Sequence, residues 1–212
     1  MKRKIAVGDI HGCFDLLKTL IEKNIRFTPG EDMLIFLGDY IDRGDKVKEV
    51  VRYLSALRGK YPDSIILLKG NHEELAYTAL TAVHPGKEML FWRLNRGDST
   101  IISFGGIDNT RKHLLPFIES LRLYYETDTH IFVHAGLPDG KDPGAATTEE
   151  LLWDRDFSYD GEKTLVVGHT ARSVVVSKLN NGKIICVDTG AYMTGILSAY
   201  DVINDQAYST EA

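Results

Sequence analysis

SIILLKGNHEE, residues 64–74, carries an unbroken apolar run, Ile65 to Leu68, through Lys69 and Gly70 into Asn71, His72, Glu73 and Glu74. A short continuous apolar run closed by glycine reads as a strand buried on both faces. Such a strand, ending on an amide, an imidazole and two carboxylates, places polar chemistry on a rigid support. The pattern recurs in KIAVGD (4–9), MLIFLGD (33–39), HIFVHAG (130–136), TLVVGHT (164–170) and KIICVDTG (183–190). Each run closes on Gly, Asp, Asn or His, and this repetition sets the fold.

Helical patterns separate the first three runs. After Gly12, Phe14, Leu16, Leu17, Leu20 and Ile21 fall on one stripe; after Asp45, read as an N-cap, so do Val47, Val50, Val51, Leu54 and Leu57. The chain therefore opens β-α-β-α-β. In the later half SVVVSKL and KIICV flank Asn180, Asn181 and Gly182, a hairpin signal, and ILSAYDV (196–202) follows as a further strand. Parallel units first and antiparallel pairing later predict two packed sheets with helices outside, an α/β fold. Residues 74–96 read as helical with a break at Pro85-Gly86, a cap or flap within a single domain spanning 1–212. The stretch 137–146 reads as a loop, followed by a capping box of Thr147 and Glu150 ahead of a short helix.

The chain has 212 residues, 43% hydrophobic and 26% charged, enough for a substantial core. No apolar run reaches the roughly 18 residues of a spanning helix, and MKRKIAVGD lacks an apolar stretch of signal-peptide length, so a cytoplasmic chain with no membrane partner is expected. Cys13 and Cys186 are too few for a disulfide framework and read as packing residues. A formal charge of −5 without a block of cations argues against a nucleic-acid partner. No feature of the residues bears on oligomeric state.

In open α/β sheets ligands bind where loops leave the carboxyl ends of parallel strands. Those ends carry Asp9 and His11, Asp39, Asn71 and His72, His134, and His169. Oxygen and imidazole nitrogen without thiolate suit Mn²⁺, Fe or Zn²⁺. The set is too large for one ion; divided between two, it allows a carboxylate such as Asp39 to bridge ions about 3.5–4 Å apart. Taken singly, any of these residues could merely cap its strand. A capping role gives no reason for histidines to gather at that edge.

GDIHG (8–12), GDYIDRG (38–44), GNHEE (70–74), HAG (134–136) and GHT (168–170) occur in order, and the chain resembles the calcineurin-like metallophosphoesterases. It is most similar to their phosphoprotein phosphatases of the serine/threonine type, in the short bacterial and phage branch. The resemblance implies a four-layer α/β/β/α sandwich and two divalent metal ions, with Mn²⁺ expected ahead of Fe or Zn²⁺. It implies that Asp9, His11 and Asp39 hold one ion and Asp39, Asn71, His134 and His169 the other. It further implies His72 as general acid oriented by Asp42, Arg43 as phosphate binder, and Arg155 of LLWDRD (151–156) as a second one, with Asn71 also near the phosphate.

The expected chemistry is attack on a phosphate monoester by a dimetal-bound hydroxide, with His72 protonating the departing alkoxide. The expected substrate is a protein or peptide carrying phosphoserine or phosphothreonine, with phosphotyrosine also accepted by a shallow site. The alternative is a hydrolase of dinucleoside polyphosphates such as diadenosine tetraphosphate; those enzymes commonly lack the aspartate of the DRG segment, and Asp42 is present here. A non-catalytic binding module would show a damaged ligand set, and no motif position is damaged. Glu73 and Asp188 are expected as carboxylate partners of metal-bound imidazoles. Trp92 and Trp153 read as packing, and His84, His113 and His130 as lying outside the site.

Overall fold

A computed structural model describes residues 2–156 and 158–210. The first three apolar runs form β1 (Arg3–Val7), β2 (Asp32–Phe36) and β3 (Ile65–Leu67), paired in parallel with Ile5 opposite Leu34 and Leu34 opposite Ile65. Between them run α1 (Phe14–Thr19), continued by a π-helical turn over Leu20–Ile25, and α2 (Val47–Lys60). Asp45 falls one residue short of the cap: Lys46 stands at the N-cap of α2 without a side-chain cap bond, its N–H held by the Gly12 carbonyl at 3.2 Å.

After β3 the chain is helical to residue 119, further than residues 74–96 predict. The helices are α3 (Asn71–Thr81), α4 (Gly86–Leu94), α5 (Asp98–Phe104) and α6 (Ile107–Glu119). Pro85 is the N-cap of α4, so the break falls where its ring blocks helix continuation. The second half holds β4 (Tyr124–Glu126), β5 (His130–Val133), α7 (Thr148–Trp153), β6 (Thr164–Val167), β7 (Ser177–Leu179), β8 (Ile184–Cys186), α8 (Ala191–Thr194), β9 (Ser198–Asp201) and β10 (Gln206–Ser209). The capping box forms as read, with Glu150 N–H donating to Thr147 Oγ1 at 3.2 Å.

One sheet has the order β10-β9-β1-β2-β3 and the other β4-β5-β6-β8-β7. Both are mixed. The later half is less antiparallel than its hairpin signal indicates, because β5, β6 and β8 pair in parallel and only β4 and β7 run against them. The hairpin itself is present: Asn180, Asn181 and Gly182 all take positive φ between β7 and β8.

Alternation along these strands assigns the layers. Ala6, Met33, Ile35 and Ile66 point one way and meet Phe132, Val166 and Ile185 of the other sheet in the inter-sheet core. Ile5, Leu34, Phe36, Ile65 and Leu67 point the other way, under α1, α2, α3 and α6. Behind the second sheet Ile131, Val133, Leu165, Val167 and Ile184 pack on Leu137, Leu151 and Tyr159. The result is the four-layer α/β/β/α sandwich, its fourth layer made by the short α7 and loops. Because each parallel set runs in one direction, the ends of β1, β2, β3, β5, β6 and β8 arrive at one edge. No helix among the described residues is long and apolar enough to cross a membrane.

Candidate metal centre

The strand ends are packed so closely that side chains are excluded at defined points. A Cβ on Gly70 would lie 2.2 Å from Asp39 Oδ1, and one on Gly168 would lie 2.4 Å from Asp9 Oδ1. The backbone is also bent into rare conformations there. His11, Asp39, Asp42, Arg43 and His169 are five of the ten non-glycine residues with positive φ among the described residues. Such conformations cost on the order of 1–3 kcal/mol each and persist where surrounding structure enforces them, often at functional sites.

Glu73 enforces one of these turns. Its Oε2 accepts the N–H groups of Asp39 and Gly70, both at 2.9 Å, and its Oε1 those of Tyr40 at 2.8 Å and Ile41 at 3.3 Å. The expectation that Glu73 partners a metal-bound imidazole is thereby corrected: from the first turn of α3 it can reach the 39–41 backbone, whose unpaired N–H groups take up both oxygens. Asp188 likewise serves backbone, its Oδ1 accepting the Gly190 N–H at 2.8 Å.

The imidazoles are oriented by other groups. His11 Nδ1 lies 2.8 Å from the Ile41 carbonyl and His134 Nδ1 2.9 Å from that of Leu37, so each ring donates Nδ1–H and aims an Nε2 lone pair inward. His72 Nδ1 lies 2.7 Å from Asp42 Oδ2. Asp39 stands between two groups of candidate ligands. Its Oδ2 is 3.3 Å from His11 Nε2 and 3.9 Å from His72 Nε2, while its Oδ1 is 3.5 Å from His134 Nε2. His11, Asp39 and His72 form one buried group that could hold a metal ion; Asp39, His134 and His169 form another.

In the second group His134 Nε2, His169 Nδ1 and Asn71 Oδ1 lie 2.9, 3.0 and 3.1 Å apart pairwise. Ligands about 2.1 Å from one ion at right angles would be about 3.0 Å apart, so the spacing fits a shared cation. Burial pushes the His169 imidazole down to about 3, with His134 adding to the effect, and burial lowers His134 too. Both are therefore neutral, the form that binds metal. His169 Nε2 is buried with no hydrogen-bond partner. Burial, then Asp188 and Asp39, pushes the Asp9 carboxyl well above the ordinary range, and a divalent cation would offset that crowding.

Not every predicted residue joins these groups. Asp9 stands in neither; its two oxygens accept the His169 N–H at 3.1 Å. Arg43 is half-buried across His11 and His72, with Nη1 2.9 Å from His11 Nε2 and Nη2 3.0 Å from His72 Nε2. Arg155 is exposed on the opposite flank, donating to Thr170 Oγ1 at 2.9 Å. Burial works against a charged His72, but Asp39 and Asp42 raise its pKa above the ordinary imidazole value. His84, His113 and His130 lie away from the site, His130 bonding Thr129.

The sequence reading missed Tyr192, whose ring lies 4.6 Å from the Arg43 guanidinium carbon and edge-on to His11 at 5.5 Å. It also took Trp92 for packing alone, whereas its indole N–H donates to Asp42. Trp153 has its ring 6.4 Å from that of His169, at the rim.

The chain belongs to the calcineurin-like phosphoesterases: residues 3–173 match that family's sequence model. It is accordingly a metal-dependent phosphoesterase. It is 29% identical over 214 residues to serine/threonine-protein phosphatase 2 of Salmonella typhimurium (strain LT2), an alignment covering 92% of this chain and 91% of the relative. It is 32% identical over 135 residues to the symmetrical bis(5'-nucleosyl)-tetraphosphatase of Pseudomonas fluorescens (strain SBW25), covering 63% of this chain and 42% of the relative. A crystal structure provisionally assigned as a diadenosine tetraphosphatase superposes with a TM-score of 0.75 at 20% identity, over 99% of this chain and 93% of the other.

Proposed function

We propose that this chain removes phosphate from serine and threonine residues of proteins, with tyrosine as a secondary substrate. Two divalent ions, Mn²⁺ ahead of Fe or Zn²⁺, would be held by Asp39 together with Asp9 and His11 on one side and Asn71, His134 and His169 on the other. When bound, such a pair offsets phosphate charge and lowers the pKa of water so that a hydroxide nucleophile exists at neutral pH.

The chain's own residues do the rest. Arg43 lies against the Nε2 atoms of His11 and His72, and turning its planar fork from them onto two phosphate oxygens would release both nitrogens. Arg155 brings a second guanidinium from the opposite flank, beside His169 and Thr170. His72 is the proton donor: the bond from Nδ1 to Asp42 fixes the ring, and Nε2, which Arg43 meets at 3.0 Å, becomes free to protonate the leaving alkoxide once that guanidinium turns to the phosphate. Neighbouring Asp39 and Asp42 favour the imidazolium this requires.

The single observation that carries the substrate class is the 2.7 Å contact of His72 with Asp42, an aspartate that dinucleoside polyphosphate hydrolases commonly lack in this segment. The near end-to-end alignment with a serine/threonine phosphatase supports the same reading. The higher identity to a tetraphosphatase over a shorter span favours the dinucleotide instead. The deciding experiment compares kcat/KM of Mn²⁺-loaded protein on a phosphothreonine peptide and on diadenosine tetraphosphate. Preference for the peptide supports the proposal; preference for the dinucleotide overturns it.

A further inference from the structure

Asp42 is held by more than His72. The Trp92 indole N–H points between its two oxygens, 3.1 Å from Oδ1 and 3.0 Å from Oδ2. The Thr100 hydroxyl donates to Oδ1 at 2.6 Å and accepts the Asp42 backbone N–H at 2.9 Å. All three residues are 0% exposed. Trp92 comes from α4 and Thr100 from α5, two helices that belong to neither sheet. The turn between those helices is shaped around the indole: a Cβ on Gly97 would lie 2.7 Å from Trp92 Nε1. The next residue is docked on the same segment, Arg43 N–H reaching the Arg96 carbonyl at 3.4 Å.

We infer that Trp92 and Thr100 are positioning residues for proton donation, clamping Asp42 so that it holds the His72 ring in line with the leaving oxygen; the inference rests on the reading of His72 as proton donor. An aspartate side chain turns about two bonds, and one hydrogen bond to an imidazole does not fix both. With Thr100 on Oδ1, His72 on Oδ2 and Trp92 across the pair, both oxygens are satisfied in one arrangement only. Thr100 also grips the main chain at Asp42, where φ is +67° and the backbone has little intrinsic preference for its position. The side-chain hydrogen bonds of Trp92 and Thr100 go to Asp42 and to no candidate metal ligand, so their effect on His72 is routed through Asp42.

The test uses leaving groups. An alkoxide departing from phosphothreonine needs a proton, whereas the phenolate of dinitrophenyl phosphate leaves without one. In Mn²⁺-loaded Thr100→Val, kcat on a phosphothreonine peptide should fall about 10-fold, while kcat on dinitrophenyl phosphate falls less than about 2-fold and KM stays level on both. Trp92→Phe should show the same split, Thr100→Ser should restore the wild-type value, and bound Mn²⁺ per chain should be unchanged in all three. On a His72→Asn background Thr100→Val should add nothing, because the group it positions is gone. Equal losses on both substrates, or a further loss on the His72→Asn background, would overturn the clamp. Should Trp92→Phe fail to fold, Thr100→Val, which keeps the side-chain shape, decides alone. A wild-type protein that cleaves neither ester would refute the proposed function itself and the clamp with it.

Discussion

Replacing Gly70 by alanine should disable the site without disrupting the fold. Gly70 has φ −97° and ψ 173°, an extended conformation open to any residue. Alanine in such a place ordinarily stabilises by about 0.4–1 kcal/mol through the unfolded chain. Here the new Cβ would lie 2.2 Å from Asp39 Oδ1 and 2.4 Å from Asp39 N. Restoring even 3.0 Å, below which Cβ contacts essentially do not occur, requires a shift of 0.8 Å. Metal sites tolerate about 0.2 Å in ligand distance, so a displacement several times larger should remove Asp39 from both groups of ligands. The strain of overpacking, about 1–3 kcal/mol, outweighs the entropic gain and leaves a net loss near 1–2 kcal/mol. For a chain of this size that lowers Tm by about 2–8 °C, leaving a folded protein to assay. Metal content by elemental analysis after Mn²⁺ loading, Tm, and kcat/KM on a phosphorylated peptide are the readouts. Gly59 on α2, with nothing within 4 Å of an added Cβ, is the control. Gly59→Ala should gain about 0.5–1 kcal/mol with unchanged activity. A Gly70→Ala protein with two ions and the wild-type rate would refute the argument that Asp39 is wedged in place to serve both groups.

Two further perturbations test other parts of the structure. Tyr192→Ala removes the ring against which Arg43 rests and should raise KM by roughly 2–5-fold, the size of a partly exposed cation–π contact, while Tyr192→Phe retains it; equal KM in both variants would separate Tyr192 from phosphate binding. Asp32, far from the site, takes Arg3 Nη2 at 2.5 Å and Nε at 2.8 Å and the Thr28 N–H at 2.7 Å. Burial works against its anion, yet Arg3 and Thr28 hold the carboxyl below its ordinary 3.8. The resulting stability is therefore present above about pH 4 and lost as pH falls through the lowered folded value. Asp32→Asn should lower stability by about 1–3 kcal/mol at pH 7, and denaturant titrations should show the gap closing below pH 4; a gap independent of pH would exclude the ion pair as its source.

The strand ends were legible because two independent signals coincide there: buried parallel strands need unbroken apolar runs, and tight turns at a ligand need glycine or a strained polar residue. Ile65–Leu68 followed by Gly70 and Asn71 carries both signals. Of the four edge strands, β4 and β10 were not legible. Tyr124–Glu126 and Gln206–Ser209 are short, with half-exposed or exposed residues, so they lack a hydrophobic run. The parallel pairing of β6 with β8 was hidden behind the hairpin signal of Asn180-Asn181-Gly182, which reports only local reversal. At the site, every motif residue except Arg155 comes from a strand end whose position follows from the topology. Trp92 and Thr100 could not be found this way. They lie 50 and 58 residues from Asp42 in sequence, and a tryptophan and a threonine on helices look the same whether they pack or donate. Glu73 was singled out for its charge, but its role follows from the first turn of α3 facing three consecutive N–H groups, a relation that only the folded turn reveals.

The most direct test of the account is metal stoichiometry of the wild-type chain beside Asp39→Asn, measured by elemental analysis after Mn²⁺ loading and removal of free ion. Because Asp39 presents one oxygen to each group of candidate ligands, the account predicts two ions per wild-type chain and loss of both in the variant. A wild-type chain with no bound ion, or an Asp39→Asn variant that keeps two, would contradict it.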